Sequence, residues 1–187
     1  MKFDRSQIKN GVLLVLIALL IIPQTRKPIQ VFLQKGLALI SPSVVNENKR
    51  ETLDTYNWQL QEINGDLVSF NASKDRVVLI NFWATWCPPC IAEMPSLHKL
   101  YEDYNNKIDF YFVSNEDREV VHEFLTKNNY SFDVQIPKTK YPSAFDVSGI
   151  PRTFLIDKQG EIVIDKTGAA NWNSEKVRNQ IDALLAE

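Results

Sequence analysis

Cysteine and histidine are scarce in this sequence of 187 residues, which contains two of each. A structural zinc site needs four thiolate or imidazole ligands, and neither His98 nor His122 pairs with another such residue at a suitable spacing. We therefore expect no metal site and place both histidines on the surface. The two cysteines, Cys87 and Cys90, fall in one short motif, so the chain has no framework of structural disulfides.

An excess of charge of one sign is also missing, since 21 basic residues face 23 acidic ones and the formal net charge is -2. Because no basic stretch alternates with aromatic residues, we expect no nucleic-acid partner. The sequence has no glycine-rich phosphate loop and no serine-elbow motif. What is present, 44% hydrophobic and 24% charged residues, is typical of a globular protein.

Unbroken apolar sequence is short and lies near the N-terminus. Residues 12–22 are all apolar and follow Lys2, Arg5 and Lys9, whereas a membrane span usually needs about 20 apolar residues. Basic residues in front of such a run indicate export or anchoring, so we interpret residues 1–25 as an uncleaved signal anchor, with a cleaved signal peptide as the alternative. The membrane contact is then made through this segment.

Residues 26–55 are predicted to be a stalk or linker. Its apolar part, residues 29–40, is consistent with an amphipathic helix on the membrane surface or with a weakly ordered stalk. Residues 41–55 are polar and poor in apolar side chains, which is typical of a linker. The folded domain is predicted to span residues 56–187.

The stretch on which the interpretation depends is residues 77–95. Residues 77–80 and Phe82 are β-branched or otherwise apolar and predict a strand buried on both faces. The motif Cys87-Pro88-Pro89-Cys90 follows, and a helical pattern begins there. Proline has a fixed φ angle and no N–H, so Pro88 and Pro89 suit the first turn of a helix. Cys87 is thereby placed at the helix N-terminus, with Cys90 one turn further along.

Two thiols in this arrangement favour disulfide exchange. Free N–H groups and the helix dipole at the N-terminus stabilise a thiolate on Cys87. We expect Cys87 to attack the disulfide of a partner and Cys90 to resolve the mixed disulfide, with Trp86 as an apolar rim beside the reactive sulfur. One alternative is that the two cysteines form half of a zinc site, but the sequence lacks suitably spaced residues for the other ligands. A static disulfide is another, but so short a loop would restrain the unfolded chain little.

Two stretches resemble a known family. NFWATWCPPC at 81–90 and GIPRTFLID at 149–157 resemble the thioredoxin superfamily. Glu93-Met94-Pro95 is similar to the sequence after the thiols in its TlpA/ResA branch of membrane-anchored, extracytoplasmic thiol-disulfide oxidoreductases. The resemblance covers roughly residues 56–187. It implies an α/β thioredoxin fold, a central mixed sheet flanked by helices, with an N-terminal β-hairpin and a middle insertion.

The resemblance also implies site residues. Pro151 matches the cis proline that lies beside the thiols in this fold, and Ile150 matches the position whose backbone meets the substrate chain. Pro88 and Trp86 would contact the substrate as well.

An acid/base group is expected next to Cys90. Glu93 lies three residues later, on the same side of the helix. If Glu93 is partly buried, its pKa rises and it can exchange a proton with Cys90. The TlpA/ResA branch carries an active-site glutamate here. Asn81 stands where thioredoxin itself has a buried aspartate, and an amide cannot shuttle a proton.

Periodicity and turn residues predict the remaining elements. A hairpin is expected around Asn64-Gly65, with a strand on each side. Further predicted elements are a strand at 108–114, a helix with its N-cap at 115–117 that ends at 128–129, a short strand at 132–136, a helical turn at 143–147, strands at 154–157 and 162–167, and a final helix at 174–185.

The sequence therefore predicts a thiol-disulfide oxidoreductase that exchanges disulfides with protein partners outside the cytoplasm and needs no cofactor. The resemblance favours a reductase, acting on apocytochrome or other envelope thiols and supplied by a membrane thiol carrier. We expect a monomer. Two alternatives are a peroxide- or heme-handling enzyme on the same fold and a non-enzymatic binding module.

Overall fold

The structure, a computed structural model, describes residues 5–187. Residues 1–4, with the Lys2 of the predicted anchor, lie outside the described residues. The helices are α1 (Arg5–Ile21), α2 (Pro23–Leu37), α3 (Pro88–Tyr104), α4 (Arg118–Asn128) and α5 (Glu175–Ala186). The strands are β1 (Gln59–Glu62), β2 (Leu67–Ser69), β3 (Val78–Phe82), β4 (Asp109–Val113), β5 (Val134–Pro137), β6 (Arg152–Ile156) and β7 (Ile162–Thr167).

These strands form one mixed sheet in the order β2-β1-β5-β4-β3-β6-β7. β3 lies inside the sheet, parallel to β4 and antiparallel to β6. All five residues of β3 are buried, as the continuous apolar run predicts for a strand covered on both faces. The predicted α/β fold with a central mixed sheet and flanking helices is confirmed.

Each face of the sheet carries its own apolar core. Leu79 of β3 belongs to a cluster with α3 and α5 residues such as Leu97 and Ile181. Val78 and Phe82 belong to a second cluster on the opposite face, built around the fully buried Trp58. The division follows from the strand itself, in which successive side chains point to opposite faces.

The predicted N-terminal hairpin is present and extends the sheet. β1 pairs with β2 across the turn at Gly65, and its other edge pairs antiparallel with β5. The helical turn predicted at 143–147 is wrong: apart from a tight turn at 143–144, this segment has no regular structure. Phe145 is 1% exposed within the second core, so burial of its ring in an irregular loop overrides the local helical pattern.

The segment before the hairpin is more closely attached than a free linker. The amide of Val45 donates to the carbonyl of Val163 at 2.8 Å, and Leu53 donates to Gly160 at 2.9 Å. Residues 45–53 therefore run along β7 and its preceding turn. The domain boundary at residue 56 stays a prediction.

Two helices, α1 and α2, precede this segment. Most of the segment at 29–40 is helical, as α2 extends to Leu37; its placement on a membrane surface stays a prediction. Within residues 5–187, no helix has both the length and the apolar character required to cross a bilayer.

Candidate active site

The sheet register brings two distant stretches together. β3 ends at Phe82, and its Cα partner across the ladder is Arg152, the first residue of β6. The loop that follows β3 carries the thiol motif, and the loop that precedes β6 carries Pro151. Because the two strands are antiparallel neighbours, the loop after β3 and the loop before β6 lie next to each other at the same end of these strands.

The thiol pair lies at the start of α3, as predicted. Cys87 is the N-cap residue, and the helix begins at Pro88. Cys87 and Cys90 are joined in a disulfide with an S–S distance of 2.10 Å and a Cα–Cα distance of 5.2 Å. The amide of Cys90 donates to the Cys87 sulfur at 3.3 Å. A free helix N–H therefore points at the sulfur, where it would stabilise a thiolate.

A cis peptide bond joins Ile150 and Pro151, in agreement with the family pattern. The Cys87 sulfur lies 3.8 Å from the carbonyl oxygen of Ile150. Cys87 is 3% exposed and Cys90 is fully buried, whereas Trp86 is 62% exposed. Trp86 thus forms the expected apolar rim, and Pro88 beside it is half-buried. Of the two cysteines, Cys87 is the less buried, and it lies between the exposed Trp86 and the carbonyl of Ile150.

Glu93 lies one turn after Cys90 on α3 and is completely buried. Its Oε2 accepts hydrogen bonds from the indole N–H of Trp172 at 2.9 Å and from the amide of Ala170 at 3.1 Å. Its Oε1 accepts one from the side-chain amide of Asn81 at 2.9 Å. These donors come from the end of β3 and from the loop after β7, so three parts of the fold meet on one carboxyl group.

Burial raises the pKa of Glu93 from its ordinary 4.5 to about 8. The hydrogen bonds from Trp172, Ala170 and Asn81 favour the carboxylate and lower this pKa, but they only partly offset the burial. Glu93 is therefore mostly a neutral acid at pH 7, and it ionises in the range where thiols ionise. The sequence predicts a raised pKa for Glu93 if the residue is buried, and it is buried. Its role towards Cys90 stays a prediction.

Polar groups around Glu93 fix the loop after β7. The Asn81 amide also donates to the hydroxyl oxygen of Thr153 at 2.7 Å, which ties β3 to β6. The Ser96 hydroxyl donates to the carbonyl of Glu93 at 2.8 Å and accepts from the amide of Trp172 at 3.2 Å. The loop at 170–172 is thereby attached to α3 at two points, and the carboxyl group is held in one position.

Sequence reasoning did not find Trp172, Thr153 or Ala170. Trp172 is 79 residues from Glu93 along the chain, and no local pattern signals such a contact. It also did not find the contacts of Thr85, which lies just before Trp86. The Thr85 amide and hydroxyl both donate to the carboxylate of Glu116, at 2.6 and 2.7 Å.

The histidines take no part in this site. His122 is exposed, as predicted. His98 is half-buried rather than fully exposed, since its side chain is 15% exposed and lies 3.1 Å from the Ser131 hydroxyl. Its ring packs against Tyr130 and Phe132, and aromatic packing accounts for its burial. Across the described part of the chain, no group of three or more potential ligands is arranged to hold a metal ion.

Comparison with known proteins places this geometry in a family. The Redoxin family profile matches residues 42–184. The chain is 31% identical over 132 residues to a thiol-disulfide oxidoreductase ResA of Bacillus cereus (strain ZK / E33L), covering 69% of this chain and 73% of the relative. It is 32% identical over 125 residues to a ResA of Bacillus subtilis (strain 168), covering 65% and 70%.

A solved structure gives the same fold. The thiol:disulfide interchange protein of the thioredoxin family from Chlorobium tepidum TLS superposes with a TM-score of 0.61 at 22% identity, covering 72% of this chain and 97% of that one. The prediction of an enzyme is confirmed by the named relatives, so the alternative of a non-enzymatic binding module is wrong. With a disulfide at the start of α3, the chain belongs to the redoxin family, in the TlpA/ResA-like part of the thioredoxin superfamily, and is a thiol-disulfide oxidoreductase.

Proposed function

We propose that the protein is a reductase of disulfides in protein partners. The observation that carries this proposal is the position of the Cys87 sulfur, 3.8 Å from the Ile150 carbonyl and beside the exposed Trp86. A partner chain lying along Ile150 can pair with its backbone and present a sulfur to Cys87. The ring of Trp86 offers apolar surface to the same chain, together with Pro88.

The reaction balances without a cofactor. The Cys87 thiolate attacks one sulfur of the partner disulfide, the partner S–S bond breaks, and its other sulfur leaves as a thiolate. Cys90 then loses its proton and attacks the Cys87 sulfur, which releases the second partner thiolate and forms the Cys87–Cys90 disulfide. Two electrons pass from the dithiol to the partner. We propose Glu93 as the proton acceptor and donor for Cys90.

The surroundings of the inner sulfur support the reducing direction. Strong oxidants of this kind arise when the protein stabilises the reduced, thiolate form. Here the inner Cys90 is fully buried, and the buried acid Glu93 lies one turn away. Burial disfavours a thiolate at that position. The disulfide form is thereby favoured, which makes the dithiol a good electron donor.

We further propose that the enzyme works outside the cytoplasm and receives its electrons from a membrane thiol carrier. The apolar run at 12–22 and the exposed apolar side chains of α1, such as Leu13 and Leu14, support attachment to a membrane through the N-terminus. The resemblance to the TlpA/ResA branch extends the proposal to apocytochrome thiols as partners and to a monomeric enzyme.

Paired cysteine variants test the function. Cys87→Ser should lower the rate of insulin-disulfide reduction by dithiothreitol to the rate measured without enzyme, whereas Cys90→Ala should still attack and accumulate mixed disulfides with partners. Expressed in the native envelope, Cys90→Ala should yield adducts that mass spectrometry identifies, and Cys87→Ser should yield none. Unchanged insulin reduction by Cys87→Ser would refute the proposal. Peroxide consumption faster than disulfide reduction would favour the peroxide-handling alternative.

A further inference from the structure

A groove separates α2 from the rim of the active site. This cavity of about 540 Å³ is lined by Arg26, Lys27 and Gln30 of α2 on one side and by Trp86, Pro88 and Pro89 on the other. We refer to it as the α2 groove. It is bordered by Trp86 and Pro88, the two residues on either side of Cys87 in the sequence.

α2 is fixed against the catalytic helix at both ends. Near its start, the ammonium of Lys27 donates to the carbonyl of Thr85 at 3.0 Å. At its end, Ala38 packs against Ala92 of α3 and Ala169. Just beyond, the Ile40 carbonyl accepts from the amide of Asn171 at 2.9 Å. These contacts hold α2 in place, so α2 forms a fixed wall of the α2 groove.

Charge distinguishes the α2 groove from the other side of Trp86. Arg26 and Lys27 give it two cations, and its lining in the described part of the chain includes no acidic residue. Arg26 is exposed and forms no side-chain hydrogen bond or ion pair with a described residue. The depression on the opposite side of Trp86, of about 200 Å³, is lined by Ile150, Val147 and the acidic Glu116.

We propose that the α2 groove binds the segment of a protein partner that flanks its reactive cysteine and that it selects an acidic residue there. The proposal rests on the reductase function proposed above. Arg26 supplies a planar donor group that fits a carboxylate. Trp86 and the two proline rings supply the apolar floor that an extended peptide needs. The occupant is a peptide rather than an anionic lipid surface because the α2 groove is lined by Trp86, Pro88 and Pro89, the residues that flank Cys87 in the sequence.

Peptide disulfides that differ only in one flanking residue, Glu, Gln or Lys, test the selection. With the full-length reduced protein at low salt, we expect kcat/KM to be about tenfold higher for the Glu peptide than for the Lys peptide, and the difference to shrink at 0.5 M salt. Arg26→Glu should reverse the preference. Lys35→Glu is the matched control, because Lys35 is an exposed cation of the same helix outside the α2 groove.

Two further measurements separate the possible failures. Bis(2-hydroxyethyl) disulfide is small and neutral, so Arg26→Glu should reduce it as fast as the native enzyme; failure of both proteins would count against the reductase function. A cysteine-free Glu peptide with a fluorescent label should bind the oxidised protein more tightly than its Lys counterpart. Equal binding overturns the α2 groove proposal, as does an Arg26→Glu variant that keeps its peptide preference but loses binding to phosphatidylglycerol vesicles.

Discussion

Replacement of Glu93 by glutamine removes a titratable group from the core while keeping its size. In the native protein, Glu93 has a pKa of about 8 because it is buried. In the unfolded chain its pKa returns to an ordinary value near 4.5. Between these two pH values the folded protein holds a proton that the unfolded chain has released. The free energy of unfolding therefore falls as the pH rises through this window, and it levels off above it.

The magnitude follows from the two pKa values. Their difference, multiplied by about 1.4 kcal/mol per pH unit, gives a loss of about 5 kcal/mol between pH 4.5 and pH 8. Solvent does not screen this group, because Glu93 is 0% exposed. A glutamine at this position has no such proton to release. The stability of Glu93→Gln relative to the native protein should therefore improve by about 5 kcal/mol as the pH rises across this window.

Urea unfolding of the oxidised proteins at pH values from about 4 to about 9 measures this difference. The thiol pair stays bonded, so its own titration does not contribute. Glu102→Gln is the matched control, since Glu102 lies on the same helix with a side chain that is 56% exposed. Its stability curve should run parallel to that of the native protein.

A constant offset between Glu93→Gln and the native protein would refute the reasoning. Such a result would mean that Glu93 ionises at the same pH in both states. The three hydrogen bonds to its carboxylate would then fully compensate its burial.

Three other predictions follow from the same structure. Trp172→Phe keeps an aromatic ring but removes a donor to Glu93, so the upper pH limit of the stability loss should rise by about one pH unit in the same urea series. The reduction potential, measured in dithiothreitol buffers, should lie closer to the roughly -270 mV of thioredoxin than to the roughly -120 mV of DsbA, and a value above about -150 mV would contradict the proposed direction. Trp58→Ala should cost about 3–5 kcal/mol of stability because Trp58 is 0% exposed and packs against Phe70, Phe82 and Phe145 in the second core. A loss below about 1 kcal/mol would contradict the central place of Trp58 in that core.

The parts of the fold that could be predicted depend on short-range rules. The continuous apolar run of β3 specifies a buried strand, and the double proline specifies the start of α3. Asn64-Gly65 specifies the hairpin turn, and Asn129 ends α4 in the left-handed conformation at φ 56°. Each of these elements is determined by residues adjacent in sequence, so its position can be predicted to within a few residues.

The parts that could not be predicted depend on contacts between distant segments. The hydrogen bond between Trp172 and Glu93 becomes visible only when the loop after β7 is folded against α3. The packing of α2 on α3 is similar, since Ala38 and Ala92 carry no signal that they will meet. The positions of the two cysteines can be predicted from the motif alone, whereas the residues that surround them can be identified only from the folded structure.

The pKa of Glu93 constrains how the proton of Cys90 moves. At a pKa of about 8, roughly one tenth of Glu93 is ionised at pH 7. The neutral majority can give a proton to the Cys90 thiolate that leaves when a donor reduces the disulfide. The ionised minority can take the proton when Cys90 attacks the mixed disulfide. The three hydrogen-bond donors around the carboxyl group maintain this ionised fraction, because without them burial would raise the pKa of Glu93 further. If Glu93 exchanges a proton with Cys90 as proposed, the hydrogen bonds from Asn81, Ala170 and Trp172 set the balance between reduction of the enzyme by its donor and reduction of its partner.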